Sequence, residues 1–366
     1  MTRVGYVFNH GEVIGGGEVS FIDLVDDIRH YGIEPIAIVP GPGSVKSKLE
    51  KKGIETLVHS WPSLRGFGIL DWIPTIRRTA NRFRDLELKL VHTNGARCTL
   101  YAAAAARRER IPCLWHVRVL ERDRILDRLR AGLVTAVVVN SHVVEESMKA
   151  LVPARVHLRV IYNGIRLDEV RAAEAQSLRK LFLLDNVPVV LAVGRVSREK
   201  GWQDLIQASS QLHSRALRHS VVAVGPTPDK DYIWELDGLI RRLDLPSWTW
   251  AGERDDVWSL MKTATVLATP SHREAFGRVV VEAWACGLPV VAARTGGLSE
   301  LVRSGVDGLL VPPRSPDELA QALEQVLCRP ELAERMSGAG EQRAGDFALS
   351  RHVAELAELY REILAG

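Results

Sequence analysis

Short apolar runs alternate with longer stretches in which apolar positions recur every three or four residues, and the alternation continues along most of the chain. The runs predict buried strands, and the recurring stretches predict helices that cover them. In the first half, strands are expected at residues 3–9, 35–39, 56–59, 90–93, 111–117 and 134–140. In the second half they are expected at 189–194, 221–225, 266–268 and 288–292. Strands that alternate with helices predict two doubly wound α/β domains with parallel sheets. The domains are placed at 1–165 and 187–345, with a polar hinge at 166–186 and a last helical stretch at 346–366.

The densest pattern lies between Thr265 and Leu301. An apolar run stopped by Pro270 and a second run from Leu288 to Ala292 bracket a helix. That helix should open near Gly277, turn Val279, Val280, Ala283 and Trp284 toward a sheet, and end at Gly287 with a left-handed cap. Ligands of parallel sheets bind beyond the carboxyl ends of the strands, near helix N-termini that favour anions. Glu274 falls in that loop and Glu282 inside the helix. Over a fully helical segment the two would stand roughly 12 Å apart, too far to share a proton. They suit the opposite ends of an elongated ligand, or else a solvated loop glutamate and a helix glutamate in an ion pair.

Ser271, Glu274, Phe276, Gly277, Glu282, Ala283, Ala285, Gly287, Pro289, Val290, Gly296, Gly297 and Glu300 together resemble the signature of the retaining family 4 glycosyltransferases. The resemblance implies an α/β GT-B fold, two doubly wound Rossmann-like domains facing across a crevice, with residues 346–366 crossing back to the first domain. It implies that Glu274 contacts the donor sugar and Glu282 the nucleotide ribose, with Ala275, Phe276 and Gly277 lining the donor. The run GRVSREKG resembles the family's diphosphate motif, which carries Arg195 and Lys200 onto that role. Gly16 and Gly17 match a glycine-rich loop beside the donor, and His116 in CLWHVR matches a histidine that contacts the donor sugar. The family often has an acidic or polar residue after that histidine, whereas this chain has Val117 and then Arg118, which is assigned to the acceptor, while Arg254 is assigned to the base. His116, Glu274, Arg195 and Lys200 form the expected catalytic set.

Several of these positions also have a chemistry of their own. Arg195 offers a planar fork and Lys200 a point charge after a predicted strand, and both suit a diphosphate. Three glycines, Gly15 to Gly17, let backbone approach a ligand closely. A second glycine pair, Gly296-Gly297, could turn its N–H groups toward phosphate. Asn163-Gly164 reads as a turn in the hinge region. Asp229-Lys230-Asp231 has the shape of a metal-binding Asp-x-Asp motif, but it sits in a polar loop after Pro226 and Pro228, and no metal is assigned there.

The expected activity is therefore a configuration-retaining transfer from a nucleoside-diphosphate sugar to a hydroxyl acceptor, glycan, lipid-linked or small. The diphosphate leaving group would act as base, and the sugar nucleotide would be a co-substrate with no further cofactor. A sugar-nucleotide epimerase, a phosphorylase or a non-catalytic sugar-nucleotide-binding protein are the alternatives.

Composition adds compartment and partners. The 366 residues, 46% hydrophobic and 25% charged, fit a soluble protein of about two domains. The start MTRVGYVFNH reads as a strand and not a signal peptide, and no apolar run reaches the ~20 residues of a membrane span. Cys98, Cys113, Cys286 and Cys328 have no paired spacing and are expected to be reduced and mostly buried, which fits a cytoplasmic protein. Net charge is +3, but residues 61–130 hold fifteen Lys or Arg against seven Asp or Glu. This excess admits peripheral contact with the inner face of an anionic membrane or with a phosphorylated acceptor. The arginines are spread over several elements without a binding module, so nucleic acid is not expected.

Overall fold

The computed structural model describes residues 1–62, 71–245 and 247–365. Residues 63–70, part of the basic stretch, lie outside the described residues. The chain divides into two compact units, one of Met1–Gly164 with Leu349–Gly366 and the other of Ile165–Ala348. Residues 166–186, expected as a hinge, belong to the second unit and carry two short helices, Leu167–Ala172 and Leu178–Leu181.

The first unit is built on β1 (Thr2–Phe8), β2 (Ile33–Val39), β3 (Glu55–Val58), β4 (Leu90–Asn94), β5 (Cys113–Val117), β6 (Ala136–Val139) and β7 (His157–Val160). All pair in parallel, in the order β3-β2-β1-β4-β5-β6-β7. Central strands of such a sheet are covered on both faces, which is why β4, β5 and β6 are buried at every position. Tyr6, Phe8, Phe21 and Val138 pack with Val353, Leu356 and Tyr360 of the last helix, Leu349–Ala365, in one core.

The second unit contains β8 (Val189–Val193), β9 (Ser220–Val224), β10 (Trp248–Gly252), β11 (Val266–Thr269), β12 (Val290–Ala293) and β13 (Leu309–Val311). Their order is β10-β9-β8-β11-β12-β13, again parallel. Each sheet has one place where the strand order reverses, β1 beside β4 and β8 beside β11. The crevice at such a switch point is where α/β sheets bind ligands.

Three strands were not anticipated: β7, β10 and β13, all at sheet edges. β7 alternates exposed and half-buried residues, and β13 has three residues, so neither offers an apolar run. The helix expected after Gly277 is Arg278–Ala285, with Val280, Val281, Ala283 and Trp284 buried. Val281 therefore takes the inward place expected of Val279. Gly287 has φ of 69°, the left-handed conformation expected there.

Candidate functional site

At the switch point of the second unit, one loop follows β8 and another follows β11. The first loop turns through Arg198–Lys200 into the helix Trp202–Ser214. Lys200 lies against the backbone of Gly194, where a Cβ would stand 3.9 Å from its Cδ and Cε. Its ammonium donates to Glu274 Oε2 at 2.6 Å, with 24% and 16% of the two side chains exposed. Two residues that are 74 positions apart, each assigned to the donor from sequence, are thus in direct contact.

The loop that carries Glu274 is held from four sides. The His272 N–H donates to the Glu199 carbonyl at 2.7 Å, and the His272 carbonyl accepts from the Thr295 hydroxyl at 3.0 Å. The His272 ring pairs with Asp204 at 2.8 Å. Gly297 donates its N–H to the Glu274 carbonyl at 2.9 Å. A Cβ on Gly296 would stand 1.9 Å from that same carbonyl, and one on Gly297 would stand 2.6 Å from Ala275 O and Phe276 O. The glycine pair thus lets two loops touch, and the Gly297 N–H expected to face phosphate is engaged by protein. His272 and Asp204 were missed in the sequence, since neither stands out locally and only the fold joins them.

The remaining donor-site candidates are placed as follows. Glu282 accepts from Arg278 Nε at 2.7 Å, one helical turn away. Because the helix begins only at Arg278, the segment from Glu274 to Glu282 is not fully helical and the 12 Å spacing does not apply. Ala275 is half-buried and Phe276 is buried, its ring edge-on to Phe347 at 5.9 Å. Arg195 is exposed, and its guanidinium has no hydrogen bond or ion pair among the described residues; its carbonyl accepts from Trp202. Arg254 is gripped by Asp256 through two bonds of 2.7 Å and lies 5.7 Å from the Phe182 ring. That pair holds the Asp256 carboxyl below its usual range. Asp229 caps the helix Lys230–Arg242 by accepting from the Tyr232 N–H at 3.0 Å.

The first unit has its own polar cluster, beyond β4 and β5. His116 is 1% exposed and lies in register with Asn94 of the neighbouring strand. Arg118 donates from Nε to Asn94 at 3.0 Å and from Nη1 to Asn163, and its Nη2 lies 3.2 Å from His116 Nδ1. Asn163, read as a hinge turn, is therefore buried in this cluster. His92 Nε2 lies 3.2 Å from His116 Nδ1, and His92 Nδ1 meets the Tyr360 hydroxyl. Burial, and after it the charge of Arg118, push both imidazoles well below their ordinary pKa. Gly16 and Gly17 open the helix Gly16–Asp27, and a Cβ on Gly17 would stand 3.7 Å from Arg118 Cδ. Gly17 thus lies near Arg118, whose guanidinium in turn reaches His116.

The four cysteines are free; Cys98 and Cys113 are buried, Cys286 is half-buried and Cys328 is exposed. Among the described residues no helix is long and apolar enough to cross a membrane, and no three His, Cys, Asp or Glu side chains cluster as a metal site.

Two family models match, Glycosyltransferase Family 4 over residues 14–169 and Glycosyl transferases group 1 over residues 174–343. The chain is 36% identical over 222 residues to the D-inositol 3-phosphate glycosyltransferase of Thermobifida fusca, and 33% identical over 225 residues to the alpha-D-kanosaminyltransferase of Streptomyces kanamyceticus. These alignments cover 58% and 60% of this chain but only 51% and 58% of those proteins. Crystal structures of Anabaena Alr3699/HepE, one with UDP and glucose and one with UDP-glucose, match over 99% of this chain and all of theirs. Both have a TM-score of 0.87, at 26% and 25% identity.

Proposed function

The chain belongs to the GT-B-fold glycosyltransferases, and on that premise we propose that it moves a sugar from a nucleoside-diphosphate sugar to a hydroxyl acceptor. The observation that carries this reading is the Lys200–Glu274 pair at the switch point of the second sheet. A cation for the diphosphate and a carboxylate for sugar hydroxyls stand side by side where such sheets bind ligands.

In this reading Arg195 and Lys200 neutralise the departing diphosphate, where negative charge grows most as the sugar leaves. Glu274 holds hydroxyls of the sugar, and Glu282 holds the ribose. Ala275, Phe276 and Gly277 line the donor, with Arg254 near the base. The first unit contributes the glycine turn at Gly16 and Gly17 and a hydrogen bond from His116. Attack comes from the face the diphosphate leaves, the diphosphate takes the acceptor's proton, and configuration is retained without a metal. No carboxylate is assigned as a covalent nucleophile.

The acceptor is read as anionic, free or membrane-borne. Its support is the basic stretch together with the helix Arg124–Leu133, where Ile125 is 83% exposed beside Arg124 and Arg128. Flotation with anionic liposomes at low salt tests the membrane-borne form, and a protein left at the bottom of the gradient discards it.

The first test of the function is a thermal-shift panel of nucleoside diphosphates and their sugar conjugates in EDTA. A ligand that binds only the folded state raises the midpoint, by about 2.7 kcal/mol of stabilisation at a hundred times its Kd. A selective rise with one nucleotide identifies the donor class. No rise with any of them removes the nucleotide-sugar reading.

A further inference from the structure

The buried row Arg118, His116, His92 and Tyr360 has a direction that its chemistry fixes. An arginine can only donate hydrogen bonds. Arg118 Nη2 lies 3.2 Å from His116 Nδ1, so that nitrogen presents its lone pair. His92 Nε2 approaches the same atom at 3.2 Å. The two rings are parallel to within 6° with centroids 5.3 Å apart, a separation that places the nitrogens edge to edge instead of stacking the faces. Two lone pairs would repel there, so His92 Nε2 carries a proton and donates. A neutral imidazole has one N–H. His92 Nδ1 is therefore an acceptor, and the Tyr360 hydroxyl beside it is the donor.

The same logic applies at the far edge of His116. With its lone pair on Nδ1, a neutral His116 carries its proton on Nε2, an atom that is buried with no hydrogen-bond partner among the described residues. A buried N–H without an acceptor is costly, and a water or a ligand oxygen would complete it. The imidazolium alternative is opposed by the groups that face the pair. Arg118 follows β5, His352 of the last helix has its ring centre 6.0 Å from that of His116, and neither imidazole touches a carboxylate among the described residues.

We propose that Arg118 is a positioning residue that locks His116 as the neutral Nε2–H tautomer, so that His116 donates a hydrogen bond to a ligand oxygen and does not act as a base. Without Arg118, the opposite direction becomes equally well paired. His92 Nδ1–H would then donate to the Tyr360 oxygen, and His116 Nδ1–H would donate to His92 Nε2. Arg118 breaks that symmetry, which gives it a role other than contact with the acceptor. Only the identity of the ligand oxygen, a hydroxyl of the transferred sugar, rests on the proposed function.

The test is nitrogen-15 NMR of histidine-labelled full-length protein at pH 7.5 without ligand, since imidazole nitrogens differ clearly between N–H, lone-pair and cationic states. His116 is expected wholly as Nε2–H in the parent and in Arg118→Lys, whose ammonium can also donate. Arg118→Met is expected to show a comparable share of the two tautomers. An Nδ1–H or imidazolium His116 in the parent overturns the proposal, whichever nucleotide the protein binds. An unchanged Nε2–H spectrum in Arg118→Met overturns the role of Arg118, and if that variant does not fold, loss of the Nε2–H form in Arg118→Lys does so. UDP-glucose, used as a probe, is expected to shift the Nε2–H signal where UDP alone does not. Binding of both with equal effect removes the sugar hydroxyl as the partner.

Discussion

The polar groups of the first unit and those of the second differ in how they are held. In the first, His92 and His116 are buried, burial pushes their pKa down, and the proposed tautomer gives each hydrogen bond one direction. In the second, Lys200 and Glu274 are partly exposed and satisfied by each other. The first arrangement is ready before any ligand arrives, whereas under the proposed function a ligand phosphate has to compete with Glu274 for Lys200. Rigidity and charge are thus divided between the units, and each can be disturbed separately.

The largest effect should come from Lys200→Ala. Removing one charged group aimed at a developing anion costs about 3–4 kcal/mol of barrier, near a thousandfold in rate. Stability should change by no more than about 1 kcal/mol, because the ion pair that is lost is partly exposed. Sugar transfer and thermal melting measured side by side check this; full activity removes Lys200 from the mechanism.

The second effect separates the units by pH. Burial lowers the pKa of His10, His59, His92 and His116 in the first unit and of His219 in the second. Their unfolded pKa is about 6.5. Below that value the unfolded chain takes up protons that the folded chain refuses, so stability is complete above about pH 6.5 and falls as pH drops toward the folded pKa. Each fully shifted group contributes up to about 1.4 kcal/mol per pH unit, and His92 with His116 up to about 3 kcal/mol. Amide exchange, corrected for its intrinsic rate, should lose more protection in the first unit than in the second between pH 6.5 and 5.5. Equal losses would show that the histidines do not set the difference.

How much of this could be read from the chain follows the same division. Lys200, Glu274 and the glycines that support them lie in short local runs, and every central strand announced itself by an apolar stretch. β7, β10 and β13 did not, because an edge strand is covered on fewer sides and needs no continuous apolar run. The first unit's row was only partly legible. His116 and Arg118 stood in one motif, but Tyr360 lies 268 residues from His92 and joins it only because the last helix packs into the first core. Asn163 looked like a turn for the same reason, since its local sequence says nothing of Arg118.

Gly297→Ala tests the support of the second unit. Its new methyl would stand 2.6 Å from the Ala275 and Phe276 carbonyls, both backbone atoms that cannot rotate away. Overpacking of this kind costs about 2 kcal/mol, and the displaced loop carries Glu274, so turnover should fall with stability. Denaturant melts and initial rates decide it. A stable variant with lost activity would mean that the loop moves without strain, and a fully active one would mean that Glu274 needs no fixed place.

The smallest effect is the most direct probe of competition. Glu274→Gln keeps the shape of the side chain but removes the charge that occupies Lys200 in the free protein. A nucleoside diphosphate no longer has to displace a carboxylate, so UDP, used as a probe, should bind several-fold more tightly, about 1 kcal/mol for a partly exposed pair. Turnover should nonetheless fall, because the amide cannot accept from sugar hydroxyls as a carboxylate does. Calorimetric titration with UDP and initial rates read the two effects independently. Tighter UDP binding with slower transfer fits a pair that a ligand must open. Weaker binding would mean that Glu274 orients Lys200 toward the phosphate, and the second unit would then be as pre-arranged as the first.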